Sequence, residues 1–185
     1  MNTIKISPVA RAVALCVGTL MFAAGAQAYG DKPAYEQAKA SAKATYQTAK
    51  KQCDSLAGNA NDICVAEAKA ARTKTEVNAE AVYKNTAKAR EHAIRETAEA
   101  DYKVARERCD DKGDNAKEVC IKEAKAAMTR AIADAKATKK TSEARTDASK
   151  DKRDADYKVA AQKCDASSGA AKSSCVAQAK AQYGM

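Results

Sequence analysis

The sequence predicts an all-α protein: long antiparallel helices joined by three disulfide-closed turns, as a helical hairpin array or a partial four-helix bundle. Three observations carry this. The first is an internal repeat. The chain reads Tyr46, Cys53-Asp54, Gly58, Cys64; then Tyr102, Cys109-Asp110, Gly113, Cys120; then Tyr157, Cys164-Asp165, Gly169, Cys175. Each pair of cysteines is eleven positions apart, and the blocks recur at offsets of 56 and 55 residues. The second is punctuation. Between Pro33 and Gly184 there is no proline, and the glycines there are Gly58, Gly113 and Gly169, all inside the repeated loops. The third is composition. Residues 29–185 hold 39 alanines among 157 residues, and alanine is the best helix former, with Lys, Arg, Glu and Gln close behind.

The first 28 residues read as an address. Lys5 and Arg11 precede a small, apolar stretch from Ala12 to Ala24, and Ala26-Gln27-Ala28 forms an A-x-A cleavage site. The apolar stretch falls short of the ~20 residues that a bilayer span needs. A lipoprotein signal at Cys16 is the rival reading, but bulky Leu15 stands where such a site wants a small residue. The expectation is therefore a signal peptide cleaved after Ala28 and a mature chain, residues 29–185, in the periplasm with no membrane span. Repeats within it run over about 35–83, 84–139 and 140–183.

Export explains the cysteines. Without Cys16 six remain, an even number in an oxidising compartment. Six cysteines allow 15 pairings; repetition and proximity favour Cys53–Cys64, Cys109–Cys120 and Cys164–Cys175. The long spacing and the single, distant His92 argue against a metal site, and a redox role is the other alternative use of the pairs.

The elements follow in order. Asp31 and Pro33 mark the start of a first helix that runs to about Cys53–Asp54. After the loop at Gly58, Asn59, Asn61 or Asp62 is placed to cap the next helix. From Ile63 to Arg108 no breaker occurs, so one helix of 46 residues is expected, ~70 Å long. A third helix runs from Ala116 to Lys163, and a short last one ends near Tyr183. Residues 138–153, rich in Thr, Ser and charge, are the weak spot, with 84–90 a lesser one. If neither breaks, two long helices form a four-helix head and a two-helix stalk, the preferred arrangement. If both break, three hairpins stand in tandem.

Helical spacing also predicts a packing seam. Tyr46, Ala49 and Cys53 share one face, as do Cys64, Ala68 and Ala71. With antiparallel arms, Tyr46 falls opposite Ala71, Tyr102 opposite Ala127 and Tyr157 opposite Gln182. A ring facing a small residue lets close helices interdigitate. The alternative use of these rings is as a stacking platform.

Composition narrows function. Residues 29–185 contain one Leu, four Ile, seven Val and no Phe, so there is little from which to build a thick core or a deep pocket. Without Lys5 and Arg11, 31 basic residues face 24 acidic ones, a net +7. These charges are interspersed, and pairs such as Glu80–Lys84, Glu91–Arg95 and Glu118–Lys122 suit a solvated helix surface. No nucleophile–base motif, glycine-rich phosphate loop, metal-ligand spacing or nucleic-acid module is present, so neither an enzyme nor a cofactor is expected.

The run Tyr35-Glu-Gln-Ala-Lys-Ala40, the Tyr-x6-Cys-Asp blocks and tails such as Cys64-Val-Ala-Glu-Ala-Lys-Ala70 resemble the small exported, Ala/Lys-rich, Cys-repeat proteins of proteobacteria described as TolA-like cell-envelope biogenesis proteins. The resemblance covers nearly all of the mature chain. It implies a role at the cell envelope and carries over no functional residue. The expected function is a non-catalytic periplasmic helical-repeat protein, with a structural, spacer or partner-binding task. Its partner would be an envelope protein or an anionic polymer, and self-association is left open. The alternatives are a stress or desiccation protectant resembling late embryogenesis abundant proteins, suggested by segments such as Thr97-Ala-Glu-Ala-Asp-Tyr-Lys103, or a binder of anionic polymers.

Overall fold

Five helices and one 3₁₀ turn account for all the regular structure in the computed structural model, which describes residues 30–185. They are α1 (Lys32–Cys53), α2 (Gly58–Lys84), α3 (Ala87–Cys109), α4 (Asp114–Lys163), the 3₁₀ turn (Cys164–Ala166) and α5 (Gly169–Tyr183). The leader, Cys16 and the cleavage site after Ala28 lie outside the described residues. Helix α1 begins as expected: the Asp31 carboxylate accepts the Ala34 N–H at 3.2 Å, with Pro33 in the first turn.

The expected 46-residue helix does not form. Helix α2 stops at Lys84, Asn85 takes a left-handed conformation (φ 44), and Thr86 is extended. The Asn85 N–H bonds the Ala81 carbonyl, and the Thr86 hydroxyl accepts the Ala89 N–H at 3.0 Å. One residue thus closes the old helix and the next caps a new one. No glycine or proline is needed, because asparagine tolerates the left-handed region and threonine is a good N-cap. The chain reverses there, so that Lys74 of α2 pairs with Asp101 of α3, and Glu67 with Arg108 at 2.5 Å.

The other suspect stretch, 138–153, stays helical. Helix α4 is 50 residues long, ~75 Å at 1.5 Å per residue. The repeat offset of 56 puts Thr141 and Ser142 where the first junction has Asn85 and Thr86. A β-branched residue is badly suited to positive φ, so the break is lost and the helix runs on. The hydroxyls of Thr141 and Thr146 turn inward on it, each donating to the carbonyl four residues back at 3.0 Å.

Each helix packs only on its neighbours in sequence: α1 on α2, α2 on α3, α3 on α4, and α4 on α5. No contact joins α1 to α3 or α4, or α2 to α4. The result is a hairpin array, a layer one helix thick, and the partial bundle is not formed. Its first two hairpins, α1–α2 and α3 with the start of α4, lie side by side through α2 and α3. The third, the end of α4 with α5, touches neither. The buried apolar side chains are alanine, valine and cysteine, and the largest fully buried ones are Cys53, Cys109 and Cys164. Small residues let the helix axes approach, and the disulfides supply what such thin seams cannot.

Candidate functional site

The three turns are the most specific chemistry in the sequence. All three expected disulfides are present, with Cα–Cα distances of 5.6, 5.7 and 5.7 Å for Cys53–Cys64, Cys109–Cys120 and Cys164–Cys175. The fifth position after each first cysteine is left-handed: Gly58 (φ 57), Asp114 (φ 45) and Gly169 (φ 58). In the second turn the glycine stands one place early, at Gly113, so an aspartate holds the conformation instead. Seven residues after the Asp that follows each first cysteine comes a second clasp. Lys117 pairs with Asp110 at 2.9 Å, and Lys172 with Asp165 at 2.8 Å. The hydrogen bond from Lys172, and then its charge, hold the Asp165 carboxyl below the usual carboxylate range.

In the first turn the corresponding residue is Asn61, whose side-chain amide donates to the Cys53 carbonyl at 2.7 Å. Asn59 reaches sideways to Asp111 at 2.6 Å, tying the first turn to the second. The expected capping of α2 by Asn59, Asn61 or Asp62 is not seen. Helix α2 starts earlier, at Gly58, with no side-chain cap bond, and both asparagine amides are used elsewhere.

The tyrosines and their expected partners are less enclosed than a packing seam implies. Tyr46, Tyr102 and Tyr157 are all half-buried, but Ala71, Ala127 and Gln182 are exposed. Tyr46 and Ala71 do line one groove between α1 and α2, together with the buried Ala68. The reason is that α2 serves two neighbours. Its face toward α1 carries Ala68, its face toward α3 carries Ala70 and Val77, and Ala71 is left at the rim. A side chain the sequence did not single out covers the ring: the Arg72 guanidinium sits 5.7 Å from the Tyr46 centroid and bonds Glu76 at 2.7 Å.

A second aromatic feature also went unread. Tyr35 and Tyr83 stack at the open end of the first hairpin, with centroids 5.0 Å apart and planes within 8°; the Lys39 ammonium lies 5.0 Å over Tyr35. The signal was present, since the two rings are nearly equidistant from the Cys53–Cys64 link. Beside them Lys84 clasps Glu80, whose carboxyl is held below its ordinary value by that hydrogen bond, against a smaller opposite push from burial.

Two further open surfaces stand out among the described residues. A groove of about 600 Å³ crosses α1, α2 and α3, with Tyr46, Arg72, Glu76, Glu99 and Lys103 on its walls. Its charges are of both signs, which suits a polar segment of a macromolecule better than a small anion. On α4 a stripe of Thr138, Thr141, Arg145, Ser149 and Arg153 faces solvent, with Arg153 donating to Ser149 at 3.2 Å. Among the described residues no group of three or more His, Cys, Asp or Glu side chains could hold a metal ion. His92 stands 3.7 Å from Glu96, far along the chain from every disulfide. No protein-family model, curated protein or solved structure matches the chain.

Proposed function

We propose that this is a non-catalytic helical-repeat protein of the cell envelope, a stiff spacer that presents stapled hairpins to a partner. The observation that carries the reading is α4. Its middle, residues 143–153, is exposed throughout. It holds the third hairpin away from the first two, as a strut would. Three disulfides of short span favour an oxidising compartment, and the leader expected over residues 1–28 supplies the route. Among the described residues no helix is long and apolar enough to cross a membrane. On this reading the protein works in the periplasm, with the mixed-charge groove across α1–α3 as the surface for an envelope protein or an anionic polymer.

The test has two arms. Fractionation of cells making the full chain should recover it in the periplasm, with an intact mass for residues 29–185 and no free thiol. Small-angle scattering should give a radius of gyration well above the ~15 Å of a compact protein of this length. A cytoplasmic, reduced chain would overturn the envelope reading. A compact globule would overturn the spacer. A coil spectrum by circular dichroism in dilute buffer would instead favour the protectant.

A further inference from the structure

We propose that two copies of this chain pair antiparallel through α4, each supplying the third hairpin that completes the other's helical layer. The template lies within the chain. The second arm of hairpin one (α2) and the first arm of hairpin two (α3) are held together by Glu67–Arg108, Lys74–Asp101 and a core of Ala70, Ala100 and Val104. The repeat copies both charge pairs and these three core residues. Counting from Cys64 to Cys120, Glu67, Ala70 and Lys74 become Glu123, Ala126 and Arg130. Counting from Cys109 to Cys164, Ala100, Asp101, Val104 and Arg108 become Ala155, Asp156, Val159 and Lys163.

Both copied half-interfaces lie unused on α4. Ala70 is 5% exposed, whereas its copy Ala126 is open to solvent. Val104 is 8% exposed, and its copy Val159, at 56%, is the most exposed large apolar side chain among the described residues. The two halves cannot meet within one chain, because they lie on one continuous helix. At the first junction the chain folds back at Asn85–Thr86; at the second, Thr141–Ser142 keep it straight.

A second copy removes the obstacle. The register that sets Glu123 against Lys163 also sets Arg130 against Asp156, since both pairs are centred on residue 143. An antiparallel α4 pair in this register is two-fold symmetric, so each contact occurs twice and the interface closes on itself. The hinge has opened and the same element docks in trans, which is domain swapping. At each end, α1, α2, α3 and the start of one α4 continue into the end of the partner's α4 and its α5. The copied face is less apolar than its template, with Lys122 where α2 has Ala66 and Ala133 where it has Val77. The pairing is accordingly reversible.

Light scattering on the oxidised mature chain, eluted from a sizing column at about 5 to 500 μM, tests the pairing. The mass should approach that of two chains at the upper end. Arg130→Asp or Asp156→Arg should each weaken the dimer by roughly tenfold or more, because the symmetric interface loses the pair twice. Combining the two should restore most of the affinity, which a merely unfolding substitution would not. Replacing Thr141→Asn and Ser142→Thr rebuilds the first junction in the second; this chain should be a monomer with a smaller hydrodynamic radius than wild type. A one-chain mass at every concentration would overturn the proposal. So would a dimer that neither charge reversal weakens, or one that the rebuilt junction leaves unchanged.

Discussion

Removing the third disulfide, as Cys164→Ala with Cys175→Ala, should melt α5 alone. The magnitudes come from what holds that helix. Helix α5 has 15 residues and packs on the end of α4 and the 3₁₀ turn. Its buried residue is Ala179, at 6% exposure, with Val176 half-buried. Two such small contacts contribute about 2 kcal/mol. Starting an isolated helix costs about 4 kcal/mol, from a nucleation constant near 10⁻³, and propagation gains little over this length. A link spanning 11 residues restricts the unfolded chain by about 2.8 kcal/mol in the chain-entropy model. With the link, the balance favours helix by about 1 kcal/mol; without it, coil by about 2 kcal/mol, roughly thirty to one. Hydrogen exchange followed by mass spectrometry should show α5 amides exchanging as an unstructured peptide does. The matching pair Cys53→Ala and Cys64→Ala should leave α2 protected, because α2 packs along both α1 and α3. Equal protection of α5 in wild type and variant, or equal loss in α2 and α5, would refute the reasoning that packing on two sides substitutes for a staple.

Three further outcomes are expected. Ala70→Arg should lower the melting temperature, since it forces a charge into the α2–α3 core at a cost of about 2–4 kcal/mol, whereas Ala71→Arg, at the rim, should stay within about 0.5 kcal/mol of wild type; thermal melts by circular dichroism compare them. Gly58→Ala should cost about 1 kcal/mol from backbone conformation alone, because a Cβ there meets nothing within 4 Å, and Asp114→Gly should gain up to about 1 kcal/mol; denaturant melts read both. The Lys172 clasp lowers the Asp165 pKa on folding, so its contribution is present above the unfolded carboxylate value, ~3.9, and is lost as pH falls through the folded pKa; amide protection in the third turn, relative to the intrinsic exchange rate, should fall below about pH 4, and Lys172→Met should remove that step.

The fold was legible where residue types admit one use. Cysteines repeated at a fixed short spacing around Gly58, Gly113 and Gly169 had one economical pairing, and the structure has it. The break at Asn85 was not legible by the same means. Asparagine and threonine are ordinary helix-surface residues, and their use as stop and cap shows only when the two stand together. The repeat distinguishes the two junctions, since Thr141, at the place matching Asn85, is β-branched and poorly suited to the same turn. Helical spacing puts Tyr46 and Ala71 on one groove but does not show how open that groove is. Counting from Cys64 gives the direction toward α1, yet α2 divides its surface between α1 and α3, and that division depends on the break at Asn85. The clasps of Asn59 and Asn61 depend on which turn lies beside which, and no single-helix count reveals that.

Packing confined to chain neighbours also sets how the molecule is made. Among the described residues the helix–helix packing joins elements adjacent along the polypeptide, so little loop entropy must be spent before a contact forms, and low contact order goes with fast folding. Each hairpin can dock as soon as its predecessor is in place, without waiting for the end of the chain, in the manner of other quasi-one-dimensional arrays. For each of the six disulfide-bonded cysteines the correct partner is also its nearest cysteine in sequence, 11 residues away, so random oxidation of a nascent chain already favours the native links. Truncating this protein at a turn should therefore leave behind a shorter folded protein and not a misfolded fragment.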